Sequence, residues 1–137
     1  MNTNFIRRAL LLFALSLASV LQAEPALAGH PGFKGQTLDA DSIKAVLLGK
    51  KVTVGDTRVI IIVAKTGAAQ DAFLQAQVGM STSQFQNHWR RLFMTGGGSA
   101  PKIVETEDEA SKLAASTPGA VAIVDKGKAE GLTILAQ

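Results

Sequence analysis

Residues 58–64 read RVIIIVA, a continuous run of apolar, mostly β-branched side chains. Side chains branched at Cβ lose rotamer freedom in a helix but fit a pleated sheet, and seven residues are too few for a buried helix. The run therefore predicts a strand. A strand with one wet face would alternate apolar with polar residues, so this one is expected at the centre of a sheet covered on both sides. That requirement points to an α/β domain.

The neighbouring sequence supplies the helices. Thr66-Gly67 breaks the strand, and a helix follows to about Val78 with Ala69, Ala72, Phe73 and Ala76 on one face and Gly79 as its stop. Upstream, Asp39 or Asp41 can cap a short helix whose Ile43, Val46 and Leu47 fall at i, i+3 and i+4 before Gly49; a turn is expected at Gly55-Asp56. Downstream, Ser81-Thr82-Ser83-Gln84 has the form of a capping box, followed by Phe85, Trp89, Leu92 and Phe93 at helical spacing. Thr106 to Glu109 repeats the box, Glu107 and Asp108 suit the positive end of that helix, and Ala110, Leu113 and Ala114 form its inner face. Pro118-Gly119 turns the chain into AVAIV (120–124), a second buried strand, and Leu132 to Leu135 can add a last short one. No internal repeat interrupts this single domain.

The N-terminus reads as an export leader. Arg7 and Arg8 precede an apolar run from Ala9 to Leu21, too short to span a bilayer as a permanent helix. Cleavage fits the small-residue rule after Ala23 or after Ala28, the latter matching A-x-A better. Residues 1–28 are accordingly expected to be a secretory signal, residues 29–37 (GHPGFKGQT) an irregular arm, and residues 38–137 the folded domain, located in the periplasm.

Composition then narrows the function. The formal net charge is +3, and cleavage after Ala28 lowers it by one because Arg7, Arg8 and Glu24 leave together. So weak a charge implies neither nucleic acid nor a membrane surface as partner. The absence of cysteine excludes disulfides, thiolate metal sites and a cysteine nucleophile. His30 and His88 are the only histidines and stand apart, and no paired carboxylates have the spacing of a general acid and base. No catalytic residue, metal or cofactor is expected.

Two loops could hold an anion. Gly96-Gly97-Gly98-Ser99 leaves a helix and lacks the lysine of a nucleotide loop, so it reads as a connector. Lys65, Thr66, Gly67, Ala68 and Ala69 run from a strand into a helix start, where free amides and the helix dipole attract an oxyanion. The plain alternative is that Thr66 only caps the helix. Arg90 and Arg91 could add forked donors as secondary anion contacts, or form a solvated helix face.

Several stretches together resemble the periplasmic substrate-binding proteins of phosphate ABC transporters. KAVLLGKKVTV (44–54) looks like their IFLGK segment, RVIIIVAKTGAAQDAFL (58–74) like the strand leading to their anion-binding helix, and TPGAVAIVD (117–125) like their PGAIGYV strand. SQFQNHWRRLFMTGGGSAPK (83–102) is similar to the corresponding region of short, single-lobe relatives. The resemblance implies one lobe of the type II periplasmic-binding fold, a small mixed sheet flanked by about four helices, and a role with phosphate or a related oxyanion in ABC-type uptake. The chain departs from the pattern in length, too short for two lobes, and in its loop, where Thr66-Gly67-Ala68-Ala69 stands for a serine-glycine-threonine element. The asparagine-proline segment that usually precedes the IFLGK stretch is not evident in HPGFKGQ. Two readings follow: a lobe that holds an oxyanion, alone or as a homodimer, or an envelope interaction protein that keeps the scaffold without the ligand.

Overall fold

The computed structural model, which describes residues 24–96 and 100–137, sets a five-stranded sheet between helices. In chain order the elements are β1 (Pro25–Gly29), α1 (Ala40–Leu47), a small hairpin of β2 (Thr53–Val54) and β3 (Thr57–Arg58), β4 (Ile60–Ala64), α2 (Ala68–Val78), α3 (Thr82–Met94), β5 (Lys102–Val104), α4 (Glu107–Ser116), β6 (Ala120–Asp125) and β7 (Thr133–Ala136). Spatially the strands lie in the order β5-β4-β6-β1-β7. β4 pairs in parallel with both β5 and β6, whereas β1 is antiparallel to both of its neighbours. The sheet is therefore mixed.

Period-two alternation sends each strand's side chains to two separate cores. On one face Leu27, Ile61, Val63, Val121, Ile123 and Leu135 pack against Ile43, Val46 and Leu47 of α1, Phe73 and Leu74 of α2, and Phe85 and Trp89 of α3. On the other face Ala28, Ile62, Ala120, Ala122 and Val124 meet Ala110 and Ala114 of α4. The second core is built largely of alanine, and small side chains let α4 lie close to the sheet. Each large side chain buried in the first core contributes about 1.5–3 kcal/mol of transfer free energy.

Local signals in the sequence set most helix ends. Asp39 accepts from the Ser42 amide at 2.8 Å and starts α1. Gly79, at φ 67°, closes α2. Both bonds of the Ser81–Gln84 capping box are present. The box at α4 is shifted: Thr106 accepts from the Glu109 amide, but the Glu109 carboxylate reaches the Glu105 amide, one residue before the cap. Phe93, expected in the aromatic stripe, is 59% exposed in the last turn of α3. The described part of the glycine connector ends at Gly96 and resumes at Ala100; Gly97 to Ser99 lie outside the described residues.

The largest correction concerns the start of the domain. Among the described residues a strand already spans Pro25–Gly29, within the segment expected to be leader and well before Leu38. Ala26, Leu27 and Ala28 are fully buried in β1, between β6 and β7. The arm expected to be irregular over 29–37 contributes the last residue of that strand and a short 3-10 turn that buries Phe33. The rest of the expected leader, residues 1–23, lies outside the described residues. β5 was equally unforeseen; it pairs with β4 only from Ile62↔Lys102 to Ala64↔Val104.

Candidate functional site

The parallel arrangement of β4 and β6 brings the ends of both strands to one rim of the sheet, where α2 and α4 begin. There Thr66, Gly67, Ala68 and Ala69 border an open depression of about 310 Å³, faced by Thr106, Glu107 and Asp108 from the start of α4 and by Asp125 and Lys128 beyond β6. Two helix N-termini thus converge on one spot, each presenting amides without intrahelical partners and the positive end of its dipole. Such a spot attracts negative charge.

The chain itself supplies it. The Oε1 atom of Glu107 accepts from the amide of Ala69 at 3.2 Å and, more loosely, from that of Gln70 at 3.5 Å. Gly67 makes room for this carboxylate, since a Cβ at that position would lie 1.9 Å from Glu107 Oε1. Gly67, at φ 171°, is also the N-cap of α2, with no side-chain cap bond. Thr66 is therefore not the cap; it stands exposed one residue earlier.

Lys65 is turned to another task. Its ammonium pairs with Glu105 Oε1 at 2.7 Å, and that hydrogen bond and charge raise its pKa above the ordinary 10.5. Both partners are well exposed, so the pair contributes little to stability. Around the depression Glu107, Asp108 and Asp125 face one cation, Lys128, itself 3.5 Å from Asp108. The rim is acidic, which opposes the approach of a further anion.

Arg90 and Arg91 do not join this site. They belong to α3, on the face of the sheet opposite α4. Arg90 donates to Asn87 at 3.3 Å and borders a separate apolar groove of about 200 Å³ with Phe93, Pro101 and Ile103. The two histidines have structural partners: His30 Nδ1 accepts from the Gly32 amide at 2.9 Å, and His88 Nε2 lies 3.1 Å from the Leu48 carbonyl oxygen. Of the loop residues singled out in the sequence, Ala69 gives its amide to Glu107, joined by Gln70, which was not among them; Glu107 itself was missed. Its only sequence signal was its position in the first turn of α4, which does not tell that the side chain crosses to another helix.

No protein-family profile matches the chain, and no curated protein matches it in sequence. Solved structures do match in fold. An ABC-type phosphate transport receptor from Vibrio cholerae superposes with a TM-score of 0.58 at 10% identity, covering 82% of this chain and 45% of the receptor. A protein from Clostridium perfringens, assigned as a phosphate ABC transporter substrate-binding protein and solved with bound phosphate, gives 0.62 at 13% identity over 82% of this chain and 44% of its own. The chain has the fold of part of such a receptor, and spans rather less than half the length of either. Among the described residues no helix is long and apolar enough to cross a membrane.

Proposed function

We propose that this chain is exported to the periplasm and serves there as a non-enzymatic, solute-binding-like lobe associated with ABC-type phosphate uptake, with its oxyanion pole where α2 and α4 begin. The observation that carries this reading is the Glu107 carboxylate on the amides of Ala69 and Gln70. A carboxylate there has the charge and the acceptor geometry of one edge of an oxyanion, so the amides are already arranged for such a group. Support for phosphate as the class comes from the two receptors that share the fold. A free phosphate has to displace Glu107 and settle beside Asp108 and Asp125 in a depression open to water, where charge-assisted bonds gain least. Binding by the isolated chain is therefore weak.

A second reading has its own observation. Phe93, Met94 and Ile103 are 59%, 79% and 52% exposed, and the first and last of them border the apolar groove beside the edge of β5 that pairs with no strand among the described residues. Exposed apolar side chains next to an unpaired strand edge suit a protein contact, which favours an envelope interaction protein or a homodimer that retains the lobe as scaffold.

Thermal unfolding with millimolar phosphate and sulfate, on the wild type and on Glu107→Gln, separates the two. A small phosphate-selective rise that grows in Glu107→Gln is expected, because the substitution removes the competing charge. No rise in either protein overturns the oxyanion pole and leaves the interaction reading.

A further inference from the structure

We infer that export, the reading on which this inference rests, is completed by hydrolysis of the Ala23–Glu24 peptide bond, so that the working protein begins at Glu24 and its new amino group is received by Asp125. The sequence pattern allows cleavage after Ala23 or after Ala28 and favours the second. The fold reverses that preference. A cut after Ala28 removes four of the five residues of β1, all three of its fully buried side chains among them. It also takes away the strand that joins the two halves of the sheet, since β1 pairs with β6 from Pro25↔Asp125 to Gly29↔Val121 and is, among the described residues, the only strand partner of β7. What remains is a three-stranded sheet with a stranded β7 and an open first core. A cut after Ala23 leaves every residue of β1 in place.

The end created by the cut after Ala23 is also anchored. The backbone nitrogen of Glu24 lies 3.4 Å from Asp125 Oδ1, and the Glu24 carbonyl accepts from the Lys126 amide at 2.7 Å. Asp125 Oδ1 also accepts from the Gly127 amide at 3.1 Å, which fixes its position. In the hydrolysis, catalysed by a leader protease of the inner membrane, water gives its hydroxyl to the Ala23 carbonyl carbon and a proton to the Glu24 nitrogen. The leader departs with a carboxylate, and the Glu24 amine takes up a further proton at neutral pH. A neutral amide near a carboxylate thereby becomes an ammonium near the same carboxylate, and the bond becomes charge-assisted.

The test is the intact mass of the protein recovered from the envelope fraction after expression of the full chain in a double-membraned bacterium. A mass corresponding to residues 24–137 is expected. Any other processed N-terminus, Gly29 in particular, overturns the inference while leaving export standing; recovery of only the uncleaved chain in the cytosol overturns the export reading itself. The ion pair is tested on the processed protein by acetylating the Glu24 nitrogen. Acetylation is expected to lower the melting temperature by about 2 °C in the wild type and to have little effect in Asp125→Asn. Equal effects in both proteins overturn the role of Asp125.

Discussion

The side-chain amide of Gln70 holds both backbone groups of Ala64: its Oε1 accepts from the Ala64 N–H and its Nε2 donates to the Ala64 carbonyl, each at 2.9 Å. The ladder between β4 and β6 is last registered at Ile62↔Ala122, and beyond it Gln70 takes the place of the next strand residue. Gln70 is 1% exposed and its Nε2 also lies 3.1 Å from Thr82 Oγ1, so one side chain ties the end of β4 to the starts of α2 and α3. Thr82 Oγ1 in turn donates to Asp71. The loop that begins at Lys65 starts from this fixed point.

Gln70→Ala leaves two buried backbone groups without partners. Each unsatisfied group costs about 1–3 kcal/mol, so a loss of about 2–6 kcal/mol is expected in urea unfolding. Gln70→Glu keeps the size but removes both N–H donors and sets a carboxylate against a carbonyl, and is expected to be at least as damaging. Unchanged midpoints in both variants would show that the clamp carries no stability.

Gly49 combines a backbone requirement with a packing one. Its φ is 80°, and a Cβ there would lie 2.8 Å from both Leu92 and Trp89. Trp89 meanwhile donates from Nε1 to the Leu47 carbonyl at 2.9 Å, which closes the end of α1. Gly79 has a similar φ, 67°, but nothing within 4 Å of such a Cβ. Gly79→Ala is expected to cost about 1–2 kcal/mol from backbone conformation alone. Gly49→Ala is expected to cost more and also to shift the fluorescence of Trp89, the chain's single tryptophan. Equal losses without a spectral change would mean that Leu92 and Trp89 yield freely.

Evicting Glu107 by steric means provides a check on its place in the amide cradle. The backbone at Gly67 is extended and accepts any residue, so Gly67→Ala acts mainly by pushing the Glu107 carboxylate away. Gly67→Ala and Glu107→Ala should each lower stability by about 0.5–1.5 kcal/mol, and the double variant should lose no more than the worse single one. Additive losses would show that the two positions act separately.

Asp39 contributes to the acid limb of stability. Its carboxyl is held below the ordinary aspartate value of 3.8, first by the backbone N–H of Ser42 and then by the Ser42 side chain. A depressed carboxyl contributes stability that is present above its unfolded pKa and is lost as pH falls through the folded one. Asparagine caps a helix about as well but does not titrate. In thermal unfolding between about pH 6 and pH 2, the difference between wild type and Asp39→Asn should stay level at the upper end and move against the wild type below about pH 4. Parallel curves throughout would sink the assignment.

The sequence by itself determined the elements whose causes are local. The β-branched run at β4, the apolar run at β6, the caps at Asp39 and Ser81 and the stop at Gly79 each act through neighbours within a few residues, so each left a readable pattern. The tertiary structure decided what depends on distant partners. PALAG carries one large apolar residue, Leu27, between proline and glycine, and becomes a buried strand because β6, about a hundred residues away, pairs along its whole length. Phe93 fitted the helical stripe yet is 59% exposed in the last turn of α3, because helical spacing names a face and not how far along it the packing partners extend. The amides at the start of α2 were legible as a place for an anion. That the anion is Glu107 was not, because the carboxylate reaches them from the start of another helix, across a separation of 38 residues between Ala69 and Glu107 that no local pattern records.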